Sequence, residues 1–301
     1  MNIRKNRLKI VLGGIAVCMC MACGGSDTKD YWGDTSNGGK EEPTENPNAS
    51  KPRYIWIDAA ANFPDFANSK ENIARDLALA KDAGFTDIVV DVRPTTGDVL
   101  FKTNIVDQVK FMYAWIGSNY TKVERTATWD YLQAFVDEAR KQGLRIHAAI
   151  NTFVGGNQID GGTGLLYRDQ SKAEWATQMN MQTGIVSVMN TSESTKFFNP
   201  AHPEVQTFLC DLLKDLASYD LDGIFLDRGR FLNLQTDFSE ESRKQFEEYM
   251  GGIRIQNYPD DILLPGASSL PATYPKYLTK WLEFRAKVIY DFMQKARTAV
   301  K

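Results

Sequence analysis

Four short apolar runs, each followed by a stretch with helical spacing, constrain this chain more than any other feature. The runs are Arg53–Asp58 (RYIWID), Thr86–Pro94 (TDIVVDVRP), Arg145–Asn151 (RIHAAIN) and Asp222–Asp227 (DGIFLD). Their interiors are almost continuously apolar, as in strands covered on both faces. Between them lie amphipathic segments. One spans 69–85, with Ser69 as N-cap, Ile73, Leu77 and Ala80 on one face, and Gly84 as the stop. A second spans 128–144, with Leu132, Phe135, Val136 and Ala139 on one face. A third spans 203–220 and opens on Pro203. Helices are also predicted over 239–251 and 275–301. Strand–helix alternation of this kind calls for a parallel sheet covered by helices. No Gly-x-Gly-x-x-Gly turn follows the first run, so a dinucleotide-binding sheet loses support. The predicted fold is therefore an α/β (β/α)8 TIM-type barrel, of which four strands, about the first half, are present. A complete, smaller α/β sheet is the alternative.

Polar residues gather where these runs end: Asp58, Asp91, Arg93, Asn151, Asp227, Arg228 and Arg230. A barrel keeps its chemistry at the C-terminal ends of its strands. Asp222 lies at the opposite end of the fourth run and is read as structural. Trp56, inside the first run, is expected in the core.

The N-terminus differs in kind. Arg4, Lys5, Arg7 and Lys9 precede an apolar stretch, Ile10–Ala22, that is too short for a confident membrane span. Ala22 before Cys23, with Gly24, Gly25 and Ser26 after it, resembles a bacterial lipobox. Residues 1–22 are thus expected to be a lipoprotein signal peptide, with Cys23 lipidated. Cys18 and Cys20 are rival sites, and an ordinary secretory peptide or an uncleaved anchor is the alternative. Residues 23–52 are rich in Gly, Ser, Thr, Asn, Pro and acids, the composition of a flexible tether. The barrel domain is expected over 53–301, truncated at its C-terminal side. Cys210 sits at an apolar helical position and reads as a small buried hydrophobe.

Composition closes several classes. The net charge of −3 over 301 residues gives no reason to expect nucleic acid. With His147 and His202 as the only histidines and no spaced Cys/His cluster, neither a metal nor a cofactor is expected.

Longer blocks carry a resemblance. FTDIVVDVRPTTGDVLFKT, WDYLQAFVDEARKQGLRIHAAINTF, FFNPAHPEVQTFLCDLLKDLASYDLDGIFLDRGRF and FSEESRKQFEEYMG occur in that order. Together they are similar to the family-10-like glycosyl hydrolase domain. The resemblance covers about 53–300 and implies a barrel related to the alpha-amylase superfamily, acting on glycans in or outside the cell envelope. Arg228 stands where many members carry a second acid.

Glycoside hydrolysis ordinarily needs two carboxyl groups, one giving a proton and one attacking or stabilising. The resemblance makes Asp227 the candidate nucleophile or stabilising carboxylate. Arg228 and Arg230 are placed to keep it ionised and contact substrate, or to brace the rim. The resembling barrels take their acid from a fifth strand, which leaves Glu193 as the in-chain candidate. Asp58 is a candidate for sugar hydroxyls or a loop cap. Asp91 and Arg93, two apart, are expected as a buried pair beneath the substrate. His147 and Asn151 share one strand face as further substrate-binding candidates, with a satisfied core histidine as the other reading of His147. Trp115, Tyr120, Trp129, Tyr167 and Trp175 are sugar platforms or loop anchors. Asn199 shapes a loop over the site.

The expected function is an envelope glycoside hydrolase cleaving O-glycosidic bonds of a polysaccharide or peptidoglycan glycan. It would be lipid-anchored at the outer membrane, on a periplasmic or surface face. Its partners would be the glycan and, through the anchor, the membrane. The alternatives are a non-catalytic glycan-binding lipoprotein on the same fold and an envelope-organising partner protein.

Overall fold

The four apolar runs form one parallel sheet. A computed structural model describes residues 51–301; the expected signal peptide, Cys23 and most of the tether lie outside the described residues. The strands are β1 (Tyr54–Ile57), β2 (Asp87–Arg93), β3 (Arg145–Asn151) and β4 (Gly223–Asp227). They pair in the order β1-β2-β3-β4, all parallel. Asp87 stands opposite Arg145, Gly223 opposite His147, and Asp227 opposite Asn151. A register shift between Asp91 and Arg93 marks a bulge near the end of β2.

The crossovers carry the helices α1 (Lys70–Asp82), α2 (Tyr131–Lys141) and α3 (Pro203–Leu216); α4 (Glu240–Tyr249) and α5 (Leu278–Ala299) follow β4. Their starts follow capping chemistry. Ser69 Oγ accepts from Asn72 N at 3.1 Å, and Asp130 Oδ1 accepts from Gln133 N at 3.1 Å. Pro203 occupies the first turn of α3, where its missing N–H costs nothing.

Strand periodicity divides the sheet into two unlike faces. Ile88, Val90, Val92, Ile146, Ala148 and Ile150 face the helices and share one core with Leu77, Leu132, Phe135 and Leu212. The other face carries Tyr54, Trp56, Val89, His147 and Phe225. There the Tyr54–Phe225 and Trp56–Phe225 rings meet edge-on at 6.0 and 5.6 Å. Trp56 is 46% exposed, so its expected place in the core is corrected. It falls out of phase with Ile55 and Ile57, which face the helices. A second core, centred on Trp281, Phe246 and Phe238, gathers α4, α5 and the segment between them.

Three antiparallel strand pairs, two of them hairpins, decorate the C-terminal side of the strands and were not legible as strands in the sequence. They are Phe111–Ile116 with Asn119–Glu124, Val154–Asn157 with Thr195–Phe197, and Gln178–Met181 with Gly184–Ser187.

Candidate active site

Three aspartates meet at the C-terminal end of the sheet. Asp58 follows β1, Asp91 lies near the end of β2, and Asp227 closes β4. Asp58 and Asp227 are exposed, whereas Asp91 is only 7% exposed. Asp58 Oδ1 accepts from Ala61 N at 2.8 Å, which shapes the turn leaving β1. Asp91 Oδ1 accepts from Arg93 N at 3.2 Å, and the Ala59 backbone also donates to this carboxyl. Burial, reinforced by the negative charges of Asp58 and Asp227, pushes the Asp91 carboxyl up to about 7. The backbone donors act in the opposite direction without overcoming this.

Asp227 is held by its own chain. Arg228 N donates to Asp227 Oδ1 at 2.7 Å, and Thr152 N donates to the Asp227 carbonyl at 2.7 Å. The first of these bonds comes with a left-handed backbone at Arg228, φ 48°. Among the described residues no ion pair joins Asp227 to Arg228 or Arg230. Arg230 Nη1 instead turns to the carbonyls of Phe231 and Leu232, a short path along its own loop.

Arg93 and Asn151 are structural clamps. Arg93 is fully buried and donates to the carbonyls of Asn151, Thr152 and Val154, tying down the exit from β3. Asn151 Nδ2 returns a bond to Arg93 O at 3.0 Å. Asp91 and Arg93 are both buried, as expected, but no ion pair joins them: Asp91 takes the Arg93 backbone N–H, and the guanidinium goes to the carbonyls at the exit of β3. Burial lowers Arg93 to about 10, which leaves it charged at neutral pH.

His147 lies at the other end of the sheet. Its Nε2 is 2.9 Å from Asp87 Oδ1, four residues before Asn151, or ~13 Å along a strand at ~3.3 Å per residue. Its candidacy for substrate contact at the tips is therefore corrected. Asp222 stays at this lower end too, bound to Arg140 and to Ile146 N at 2.8 Å each. Glu193 lies in the loop before Thr195; its backbone N donates to the Thr191 hydroxyl at 3.3 Å, and its carboxylate acts on the charge of Lys196. Among the described residues no hydrogen bond joins it to the tip aspartates. Asn199 is buried, bonded to Ser239 and Ser242 at the start of α4.

One tip residue was missed in the sequence. Tyr131, the first residue of α2, is 1% exposed, and its hydroxyl has no partner among the described residues. Burial above all, then the charge of Asp91, raises its pKa. Helices antiparallel to their strands start at the strand tips, so an aromatic directly after an N-cap was the available signal. The aromatic candidates divide. Trp175 is buried against Phe198 and Phe208, and Trp129 lies under the Arg125 guanidinium at 4.7 Å. Tyr167 is half-buried against Gly156 and Gly162. Trp115 and Tyr120 are 68% and 54% exposed.

A hollow of about 730 Å³ lies elsewhere, between the start of α2 and the end of α3. Two of its charged groups are engaged, Arg125 on the carbonyls of Ala127 and Trp129 and Asp215 with the Thr103 hydroxyl at 2.6 Å. The tip aspartates are the better chemical candidate, because their charges oppose one another.

Parallel strands, helices on one face and a polar tip define part of a (β/α)8 barrel. The chain belongs to the family described as Glycosyl hydrolase-like 10, whose model matches residues 51–301. It is 31% identical over 251 residues to an S-layer-related protein of Niallia circulans, a match covering 81% of this chain and 15% of that protein. It is also similar in fold to alpha-L-fucosidase isoenzyme 2 of Paenibacillus thiaminolyticus, with TM-score 0.52 and 16% identity, covering 83% of this chain and 31% of the other. The chain therefore spans a minor part of both relatives.

Proposed function

We propose that this chain forms part of a glycoside hydrolase that cleaves a polysaccharide or peptidoglycan glycan at the bacterial cell envelope. Membership of a glycosyl hydrolase-like family supports a glycan-related function. The observation that carries the catalytic reading is the tip trio: two exposed aspartates flank a buried one that holds a proton near neutral pH. A buried carboxyl that holds its proton among neighbouring carboxyls is a feature that active sites use. Asp227 is the nucleophile or stabilising carboxylate, and Asp91 is the proton-holding neighbour that positions and tunes it. Reducing-end release is the test, measured over a glycan panel that includes protein-free peptidoglycan. Asp227→Asn is expected to lose about 10³-fold or more of the turnover while retaining the glycan. Undiminished turnover in that variant sinks the assignment.

A non-catalytic, glycan-binding role is the second reading. It is favoured by the burial of Asp91, which keeps the proton-holding carboxyl from direct contact with a glycosidic oxygen. Wild-type protein that is retained by glycan but releases no ends decides for it. The lipid anchor at Cys23 is proposed from the lipobox-like residues. Cys23→Ser is expected to move the protein from the membrane fraction to the soluble one, and unchanged fractionation removes the anchor.

A further inference from the structure

The hairpin Phe111–Glu124 presents two unlike faces. Met112 and Ala114 point inward and are buried. Phe111, Tyr113 and Trp115 alternate with them and point outward. The register sets Tyr113 opposite Lys122 and Trp115 opposite Tyr120, so these residues share the outer face. The rings form a continuous row: Tyr113 and Tyr120 are 5.4 Å apart at 31°, and Trp115 and Tyr120 are 5.3 Å apart at 43°. From Phe111 to Trp115 the row runs ~14 Å at ~3.4 Å per residue, the length of a short oligosaccharide rather than one ring.

Lys122 pairs with Asp160, while Glu124, opposite Phe111, has no ion pair among the described residues and leaves a negative excess that disfavours an anionic ligand. Lys122 Nζ sits 4.0 Å from the Phe111 ring centroid and 2.5 Å from Asp160 Oδ2. The Tyr113 hydroxyl donates to Asp160 Oδ1 at 3.1 Å. What remains suits an uncharged ligand.

At the foot of the hairpin lies a groove of about 330 Å³, lined in part by Ala60, Thr95, Thr96, Tyr113, Asn157 and Gln158. Ala60 lies two residues past Asp58, and Thr95 two past Arg93, so the groove opens beside the tip aspartates. Thr96 is 6% exposed, and its hydroxyl oxygen has no partner among the described residues. Next to the groove Gly97, at φ +82°, lies against Gly156; a Cβ there would sit 3.0 Å from Gly156 N. Aromatic faces beside hydroxyl and amide groups match a pyranose, which has apolar CH faces and a rim of hydroxyls. A purely apolar partner would leave the buried Thr96 hydroxyl unsatisfied.

We propose that the outer face of this hairpin, together with the groove at its foot, is a subsite for an uncharged glycan chain running toward the strand-tip carboxylates. The inference rests on the glycan reading of the tip and extends it to the path of the chain. The test combines affinity electrophoresis in soluble α- and β-linked glucans and glycol chitin with pull-down on protein-free peptidoglycan. Wild type, Asp227→Asn, W115A/Y120A and W115F/Y120F are compared, with circular dichroism as the check on folding. Wild type and Asp227→Asn are expected to be retained alike by at least one uncharged matrix. W115A/Y120A loses about tenfold or more in affinity for that matrix, and W115F/Y120F keeps most of it. Equal retention of W115A/Y120A, or retention of the wild type by none of the uncharged matrices (including retention by peptidoglycan alone), overturns the subsite. Retention that depends on the aromatic pair while no variant turns over glycan upholds the subsite and removes the hydrolase reading. Turnover lost in Asp227→Asn, with binding indifferent to the aromatic pair, does the reverse.

Discussion

Asp87 and Asp91 stand four residues apart on β2, on the same face and both buried, yet their proton affinities move in opposite directions. Burial pushes both carboxyls up. At Asp87, hydrogen bonds from Arg145 (2.7 and 2.8 Å), Thr86 and His147 outweigh it and hold the group at about 2. At Asp91 no cationic side chain bonds the carboxyl, two further carboxylates stand close by, and the group rises to about 7. The lower end of the sheet is thus a finished electrostatic structure. The upper end keeps opposed charges unrelieved, which costs stability and marks a site built for something besides folding.

Substitutions at the two positions should therefore have opposite signs. The larger effect is expected at the lower end. Asp87→Asn removes the partner of both Arg145 and His147 and should destabilise by about 2–3 kcal/mol at pH 7, a figure reduced because the Arg145 side chain is half exposed. A depressed carboxylate stabilises above its unfolded value, so the deficit should be full above about pH 4 and fade as pH falls through about 2. Urea titrations across that range check it, and a pH-independent deficit breaks the account. Asp91→Asn should stabilise by about 2 kcal/mol at pH 8 and by almost nothing at pH 4. A raised carboxyl costs nothing below its unfolded value and most above its folded one, near 7. Destabilisation at pH 8 would end the contrast. The smallest effect is expected at Arg228, whose left-handed backbone also stores strain at the tip. Arg228→Gly should raise stability by about 0.5 kcal/mol in the same titrations, the relief of strain outweighing glycine's entropy.

Much of this was legible in the residues, for identifiable reasons. The four sheet strands are apolar enough to declare themselves, and they occupy the predicted segments almost residue for residue. Asp58, Asp91 and Asp227 were found because strand ends can be read from where an apolar run stops. What failed was anything set by a partner distant in sequence. Arg93 was read toward substrate, yet its guanidinium closes on carbonyls about sixty residues later. His147 was grouped with Asn151 because they share a face, although four residues of extended chain put them at opposite ends. The hairpins escaped because Phe111–Ile116 and Asn119–Glu124 mix exposed aromatics with charge in a way that single-segment patterning does not resolve.

β1 and β4 each leave one flank without a partner strand among the described residues, and the surface between them bears Tyr54, Trp56 and Phe225. Such margins recruit. Any extended polypeptide laid alongside gains main-chain bonds and an aromatic bed in the same step. The half-exposed indole of Trp56 is placed to report, through its emission, the loss of water when a segment covers that bed.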